Sequence, residues 1–200
     1  MIIHAIADLH GHLPKLSSAD VLVLAGDLTW SGAKGEFLML ADWVERQDYE
    51  HIVVVAGNHD KYLAHKQNPF KRAHYLCNSG VEILGYKFWG MPYTPKFMNW
   101  HFMADGERMR SHVELIPDDT DILVTHGPPR HILDTNKQGY NCGCQYLRMR
   151  TIKVAPIANI FGHIHEHWHK EKWDGKTRYI NCSIMDETYT VRAGYKVINL

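Results

Sequence analysis

The chain has 200 residues, 45% hydrophobic and 22% charged, which is enough for a buried core that folds without disulfide staples. Lysine plus arginine equal aspartate plus glutamate at 22 each, so net charge gives no general attraction to nucleic acid or to a membrane surface. The sequence shows neither a run of roughly 18 apolar residues nor the basic leader of a signal peptide. We therefore expect a soluble, cytoplasmic protein with one domain over 1–200.

Five short apolar runs, each ending in a polar or glycine-containing segment, dominate the predicted secondary structure. Runs of valine, isoleucine and leucine of this length are typical of strands buried on both faces of a sheet. In chain order they are MIIHAIA, VLVLA, HIVVVA, DILV and ANIF. Between the second and third runs, apolar residues at helical spacing predict a helix over 34–47. The strand–helix–strand order predicts parallel pairing.

The later segments predict antiparallel strands and one more helix. Residues 81–90 predict two short strands around 85–86, and residues 167–182 predict a hairpin with its turn at 174–175. Residues 144–155 predict a helix entered through a tight cysteine–glycine–cysteine turn and ended by a proline. The four cysteines are expected to be reduced thiols. Together these elements predict a two-layer β core flanked by helices.

Polar side chains follow each of the five predicted strands. Open sheets bind ligands beyond the carboxyl ends of their strands, so these side chains are expected to converge. The candidate metal ligands are Asp8, His10, Asp27, Asn58, His126, His163 and His165. Seven ligands are too many for one tetrahedral ion and suit two ions about 3.5–4 Å apart that share a carboxylate. The mixed nitrogen and oxygen donors favour Mn, Fe, Zn, Ni or Co over Ca or Mg.

The spacing of these residues resembles the calcineurin-like metallophosphoesterases, whose pattern is DxH…GD…GNH[DE]…H…GHxH. All parts of that pattern are present. Segments outside the metal motifs resemble the small metallophosphoesterase-domain proteins related to class III cyclic-nucleotide phosphodiesterases. These segments are 90–95, 99–102, 125–134, 143–147 and 162–166. The resemblance implies an α/β (α+β) fold, a four-layer αββα sandwich of two mixed β-sheets flanked by helices.

The resemblance also implies how the ligands divide between two divalent transition-metal ions, for which we favour Mn²⁺. Asp27 would bridge the two ions. One ion would be held by Asp8, His10 and His165, and the other by Asn58, His126 and His163.

His59 directly follows a candidate ligand, and in the family this histidine is the general acid or a donor to the leaving group. We prefer this catalytic role, although a residue that only orients a ligand is the competing interpretation. Asp60 would lie behind His59. For Asp60 we prefer a structural role as a cap of the following turn.

Four further residues are candidates for contact with substrate: His12, Tyr93, His131 and His167. His12 and His131 lie two and five residues beyond candidate ligands. Each could bind a phosphate oxygen as an imidazolium or be an exposed loop histidine. Tyr93 lies between two prolines, where it could stack on a base or an aryl group or pack on a neighbouring tryptophan.

The segment FGHIHEHWHK, residues 161–170, has four histidines at alternate positions. An extended chain rises about 3.3 Å per residue, so one ion cannot bind both the first and the last. His163 and His165 are interpreted as ligands of two different ions. His167 and His169 are predicted to lie on one face of the next strand, with His167 near the substrate and His169 further out.

The implied activity is hydrolysis of a phosphate ester. We favour a phosphodiesterase that acts on a small diester, such as a cyclic nucleotide, by in-line attack of a metal-bridging hydroxide. A phosphomonoesterase, a nucleotide pyrophosphatase and a nuclease remain alternatives with the same site, as does a non-catalytic metal-loaded binding module. Only short connections separate the motifs, so no separate cap domain is expected. The neutral charge argues against nucleic acid, and the basic stretch Lys61, Lys66, Lys71 and Arg72 is interpreted as a solvated helix face.

Overall fold

The structure is a computed structural model that describes residues 1–65 and 70–200, so Lys66 of the basic stretch lies outside the described residues. Its strands are β1 Ile2–Ile6, β2 Ala19–Ala25, β3 Tyr49–Val55, β4 His74–Tyr75, β5 Ser79–Ile83, β6 Tyr86–Met91, β7 Thr94–Pro95, β8 Met103–Ala104, β9 Ile122–Thr125, β10 Ala158–Phe161, β11 Glu171–Trp173, β12 Arg178–Asn181 and β13 Lys196–Asn199. The α-helices are α1 Lys34–Glu45, α2 Gly106–Glu114 and α3 Gln145–Val154, and short 3₁₀ helices span Lys61–His65 and His165–His167.

Two mixed sheets form the centre of the molecule. The first has the strand order β13-β1-β2-β3-β4, and the second has the order β11-β12-β10-β9-β6-β5. β1, β2 and β3 are parallel neighbours, as are β6, β9, β10 and β12, while the outer strands β13, β5 and β11 pair antiparallel. Parallel strands end at the same edge of their sheet, so the loops that follow them are brought together.

The main core lies between the two sheets, because alternate side chains of each strand point to opposite faces. In β2, Val21 and Val23 face this central core, while Leu22 and Leu24 face the outer layer that α1 covers. Both faces of these strands are therefore buried, as their continuous apolar sequences predict. Full burial of each such side chain contributes about 1.5–3 kcal/mol.

The helices cover the outer faces of the sheets. α1 packs through Phe37, Leu40 and Val44 on the first sheet. α2 and α3 lie on the second sheet, in a cluster that includes Met109 and Leu147. This arrangement confirms the predicted four-layer αββα sandwich.

Several predicted elements are observed with small shifts of their ends. α1 ends two residues before the predicted position, and the two strands of 81–90 pair antiparallel around a turn at Leu84 and Gly85. α3 begins after Cys144, whose Sγ accepts the backbone N–H of Leu147 at 3.3 Å. All four cysteines fall within the described ranges and are free thiols.

The prediction that His167 and His169 lie on one strand is wrong. The backbone N–H of Trp168 donates to the carbonyl of His165 at 3.0 Å, which closes a turn where an extended chain was expected. His169 has a φ of 55°, in the left-handed region that interrupts a strand. The strand begins only at Glu171, so the alternation of the histidines does not correspond to a shared face.

In the part of the chain that the structure describes, no helix combines the length and the apolar character needed to cross a membrane.

Candidate metal centre

The candidate ligands lie at one edge of the sandwich, just beyond the carboxyl ends of strands from both sheets. Asp8, Asp27 and Asn58 follow β1, β2 and β3, and His126 and His163 follow β9 and β10. Adjacent loops are joined through the backbone, because the N–H of Asp8 donates to Gly26 at 2.9 Å and that of His10 donates to Asp27 at 3.0 Å. The predicted convergence is therefore observed.

One cluster contains Asp8, His10 and His165, whose potential ligand atoms all lie within 4.8 Å of one another. Nε2 of His165 lies 3.6 Å from Asp8 Oδ1, and its Nδ1 is 3.0 Å from the carbonyl of Asp186. A proton on Nδ1 donated to this carbonyl leaves Nε2 free to bind a metal. Backbone carbonyls orient metal-binding histidines in this way.

A second cluster contains Asp27, His126 and His163 within the same limit. His126 Nε2 lies 3.3 Å from Asp27 Oδ1 and 3.1 Å from Asn58 Oδ1, while Nδ1 is 3.2 Å from the carbonyl of Ala25. The Ala25 carbonyl orients the His126 ring through Nδ1, as the Asp186 carbonyl orients His165. Asn58 Oδ1 therefore lies beside the cluster that Asp27, His126 and His163 form.

Asp27 connects the two clusters, because its carboxylate also groups with His10 and His59. Oδ1 faces His126 at 3.3 Å, whereas Oδ2 lies 4.0 Å from His59 Nε2. The two oxygens therefore lie nearest to different histidines. His59 Nδ1 is 2.6 Å from the carbonyl of Trp30, which directs Nε2 toward the centre.

The donors fit divalent metal ions on two observations. Within the described residues, neither ring nitrogen of the buried His10 has a hydrogen-bond partner, a costly arrangement unless the ring binds something else. The donor set consists of carboxylate, amide and imidazole groups, which suits a borderline transition metal.

Neighbouring carboxylates raise the pKa values of two of the candidate histidine ligands. Burial opposes protonation of His126, but the charge of Asp27 overrides it and raises its pKa to about 9. Burial also opposes protonation of His165, where Asp8 raises the pKa to about 9. By contrast, burial lowers the pKa of His10 to about 4 and that of His163 to about 3. These last two rings are neutral at pH 7 and ready to act as ligands.

The backbone is strained at the site. Asp8, His10, Asp27 and His163 have φ angles of 56°, 42°, 51° and 70°, in the left-handed region that non-glycine residues rarely adopt. Such conformations cost of order 1–3 kcal/mol each and concentrate at functional sites. A Cβ added at Gly162 would clash with the carboxylate of Asp8, so only glycine permits this close approach.

Asp60 joins two of the ligand loops. It belongs to none of the three groups of potential metal ligands found among the described residues. Its carboxylate accepts the backbone N–H groups of Leu28 at 3.0 Å, Thr29 at 2.9 Å and Gly57 at 2.8 Å, as well as the Thr29 hydroxyl at 2.8 Å. Burial, followed by the nearby charge of Asp27, raises the pKa of Asp60 to about 6. Asp60 therefore fixes the loop after β2 against the loop after β3. Its role is structural, as predicted, but its carboxylate bonds to preceding residues and does not cap the following turn as the sequence suggested.

The predicted substrate residues lie outside the three clusters found among the described residues. His12 and His131 are exposed loop residues. Tyr93 stacks on His112 with ring centroids 3.5 Å apart, so its face is occupied by a partner that the sequence did not indicate. His167 is half-buried at the end of the 3₁₀ turn that carries His165.

The sequence interpretation missed the segment that covers His165. The backbone carbonyl of Asp186 accepts a hydrogen bond from the His165 ring. The Tyr189 ring packs on His165 and His10 at centroid distances of 4.9 and 5.0 Å. A cavity of about 150 Å³ opens here, lined by Lys137, His163, His165, Glu166, Glu187 and Tyr189. The sequence of this segment, DETYT over 186–190, gives no indication of its partner.

Comparisons with known proteins agree with this geometry. The sequence profile of the family described as calcineurin-like phosphoesterase matches residues 1–167. The chain is 37% identical to the probable rhamnogalacturonate lyase C of Emericella nidulans over 94% of this chain and 20% of that protein. It is 30% identical to metallophosphoesterase domain-containing protein 1 of Homo sapiens over 92% of this chain and 66% of that protein. The chain thus spans a fifth of one relative and 66% of the other.

A solved structure shows the same fold. The phosphopantetheinyl hydrolase of Mycobacterium tuberculosis superposes with a TM-score of 0.57 at 15% identity, covering 94% of this chain and 90% of that chain. At this identity the likeness concerns the fold alone. The family profile, in contrast, covers every candidate ligand. The chain belongs to the calcineurin-like phosphoesterases.

Proposed function

We propose that this protein is a two-metal-dependent phosphodiesterase that hydrolyses a small phosphate diester. The observation that carries the proposal is the position of Asp27, whose carboxylate belongs to the cluster with His126 and His163 and also to a group with His10 and His59. One ion would be held by Asp8, His10 and His165, the other by Asn58, His126 and His163, with Asp27 shared. When bound, such a pair of divalent ions activates water and stabilises negative charge on the phosphoryl oxygens.

The chain's own residues supply orientation and a proton. The backbone N–H of His59 donates to Asp27 Oδ1 at 2.8 Å, which holds the shared carboxylate in place. The His59 ring donates Nδ1–H to the Trp30 carbonyl, so Nε2 is the ring nitrogen that faces the site, 4.0 Å from Asp27 Oδ2. In the proposed reaction this Nε2–H donates the proton that the leaving oxygen needs.

The charges at the mouth favour a diester over a monoester. Glu166 and Glu187 line the cavity beside His163 and His165, and Lys137 also lines it. A monoester carries up to two negative charges near neutral pH, whereas a diester carries one. The acidic rim therefore repels a monoester more strongly. A cyclic nucleotide is one candidate for such a diester.

The test compares bis-p-nitrophenyl phosphate with p-nitrophenyl phosphate on Mn²⁺-reconstituted protein. We expect turnover of both with a higher kcat/KM for the diester, and its loss in Asp27→Ala and His126→Ala. Asp119→Ala, a change at an exposed carboxylate paired with Lys87, is the matched control and should keep full activity. A preference for the monoester would point to a phosphomonoesterase, and absence of turnover with any divalent metal would point to a binding module.

A separate measurement tests the role of His59. If it donates a proton, His59→Ala should lower kcat by about 10²–10⁴-fold for an alkyl leaving group and much less for p-nitrophenolate, which leaves without a proton. Bound metal, measured by elemental analysis, should stay at the wild-type level. Loss of metal together with equal losses for both leaving groups would make His59 a ligand instead.

A further inference from the structure

Exposed aromatic rings surround the candidate site, each against a histidine. Trp100 lies on His59 with ring centroids 4.1 Å apart, and Phe97 lies 5.5 Å from His163. On the other side of the site Trp30 is 5.5 Å from His10 and 5.4 Å from Tyr189. Large apolar surfaces therefore lie immediately beside the polar side chains of the candidate metal ligands.

These rings are poorly buried for their size. Trp30 is 53% exposed, Phe97 58%, Trp100 41% and Tyr189 48%. Single exposed apolar residues are common, but several of them grouped around one site mark an interaction surface. The grouping at this site thus indicates a ligand with apolar faces.

Two of the rings define where such a ligand would lie. Trp30 and Trp100 both contact His59, with the Trp30 centroid 6.2 Å and the Trp100 centroid 4.1 Å from the imidazole. A group attached to the leaving oxygen must lie beside the side chain that protonates that oxygen. This step rests on the proposed function, because it takes His59 as the proton donor.

We propose that Trp30 and Trp100 form a binding site for a planar aromatic group on the leaving side of the phosphate ester. The shared chemistry is a flat π face, which either an aryl group or a nucleobase supplies. Indole rings favour such faces through offset and edge-on contacts in addition to apolar burial. Stacking of this kind tolerates different rings, because every base has a π face.

The test measures binding, so it does not depend on turnover. Metal-reconstituted protein is titrated by calorimetry with phenylphosphonate and methylphosphonate, whose carbon–phosphorus bonds resist hydrolysis. A second arm compares adenosine 5′-monophosphate with ribose 5-phosphate while released phosphate is assayed. We expect the aromatic ligand of a pair to bind about tenfold tighter, the scale of one stacking contact. A preference in the first arm alone assigns an aryl group, and one in the second arm alone assigns a base.

The variants separate stacking from general effects. Trp100→Leu and Trp30→Leu should abolish the preference, and neither removes the Trp30 carbonyl that His59 requires. Trp100→Phe should retain most of the preference, which excludes misfolding as the cause. Trp173→Leu is the matched control, because Trp173 is 63% exposed on β11 and makes none of these ring contacts.

Equal affinities within both pairs, or a preference that survives in both leucine variants, would overturn the inference. Failure of the ring site and failure of the proposed esterase activity give different results. Turnover without an aromatic preference leaves the esterase proposal intact and removes the ring site. An aromatic preference without turnover keeps the ring site and removes the esterase.

Discussion

At the residue scale, glycines beside the ligands decide how closely the loops approach. Gly162 lies against the carboxylate of Asp8, and Gly57 lies against that of Asp27, with no room for a Cβ at either position. The same carboxylate of Asp8 accepts the backbone N–H of His163 at 2.9 Å. The site therefore depends on backbone geometry as well as on ligand identity.

We predict that Gly162→Ala destabilises the fold by about 1–3 kcal/mol, the usual cost of overpacking a tight contact. It should also weaken metal binding, because the added methyl group displaces Asp8. Gly35→Ala is the control, since a Cβ there meets no atom within 4 Å. Urea unfolding and metal titration of both variants provide the measurements, and equal behaviour would contradict the clash.

Also at the residue scale, metal affinity should rise with pH. In the metal-free protein His126 and His165 have pKa values of about 9, so both carry protons at pH 7 that a metal must displace. The apparent association constant should increase by about tenfold per pH unit for each proton released, up to pH 9, and level off above it. Calorimetry in buffers of different ionisation enthalpy counts the protons, and a flat profile from pH 7 to 9 would contradict this assignment.

At the element scale, the turn after β12 positions both a ligand and a rim residue. The carboxylate of Asp186 accepts the N–H groups of Thr188 at 2.9 Å and Thr190 at 3.1 Å, and pairs with Arg192 at 2.5 Å. These bonds hold the turn that presents Tyr189, while the Asp186 carbonyl orients His165. The Asp186 carboxylate thus holds in place the turn through which the Asp186 carbonyl and the Tyr189 ring contact the site.

We predict that Asp186→Ala lowers metal affinity by about 10–100-fold, the range typical of partners that orient ligands. The carbonyl that accepts His165 remains in this variant, so the effect must come from the lost turn. Asp186→Asn keeps an accepting oxygen and should recover most of the affinity. If the two variants behaved alike, the charge of Asp186 and not the turn would be responsible.

At the scale of the whole molecule, a metal pair would join the two halves of the sandwich. Asp8, Asp27 and Asn58 follow strands of the first sheet, whereas His126 and His163 follow strands of the second. Ligands bound from both sheets are lost together when the sheets separate. Metal binding should therefore stabilise the protein against global unfolding.

We predict that reconstitution with Mn²⁺ raises the free energy of unfolding by about 2.7 kcal/mol for each ion bound at about 100 times its Kd. For a chain of this size each kcal/mol corresponds to about 2–4 °C, so each bound ion should raise Tm by about 5–11 °C. Calorimetric scans before and after chelation measure the shift. His126→Ala should show little of this rise in Tm. A rise equal to that of the wild-type protein would mean that the metal binds elsewhere.

Much of the fold and the ligand set is predictable because the signals are local. The apolar run before Asp27 identifies a buried strand, and Gly26 with Asp27 marks its end without knowledge of any other part of the chain. His167 and His169 show where local reasoning fails. Alternation predicts a strand, but the left-handed conformation of His169 and the closed turn before it replace the extended chain.

The sequence by itself determined which chemical groups follow the strands, because strand ends and ligand types are properties of short segments. Only the tertiary structure decided that Tyr189 packs on His10, that Tyr93 stacks on His112, and that Trp30 and Trp100 contact His59. Positions 189 and 10 are far apart in the chain, and no periodicity relates them. They meet because two sheets pack face to face and bring their terminal loops to one edge.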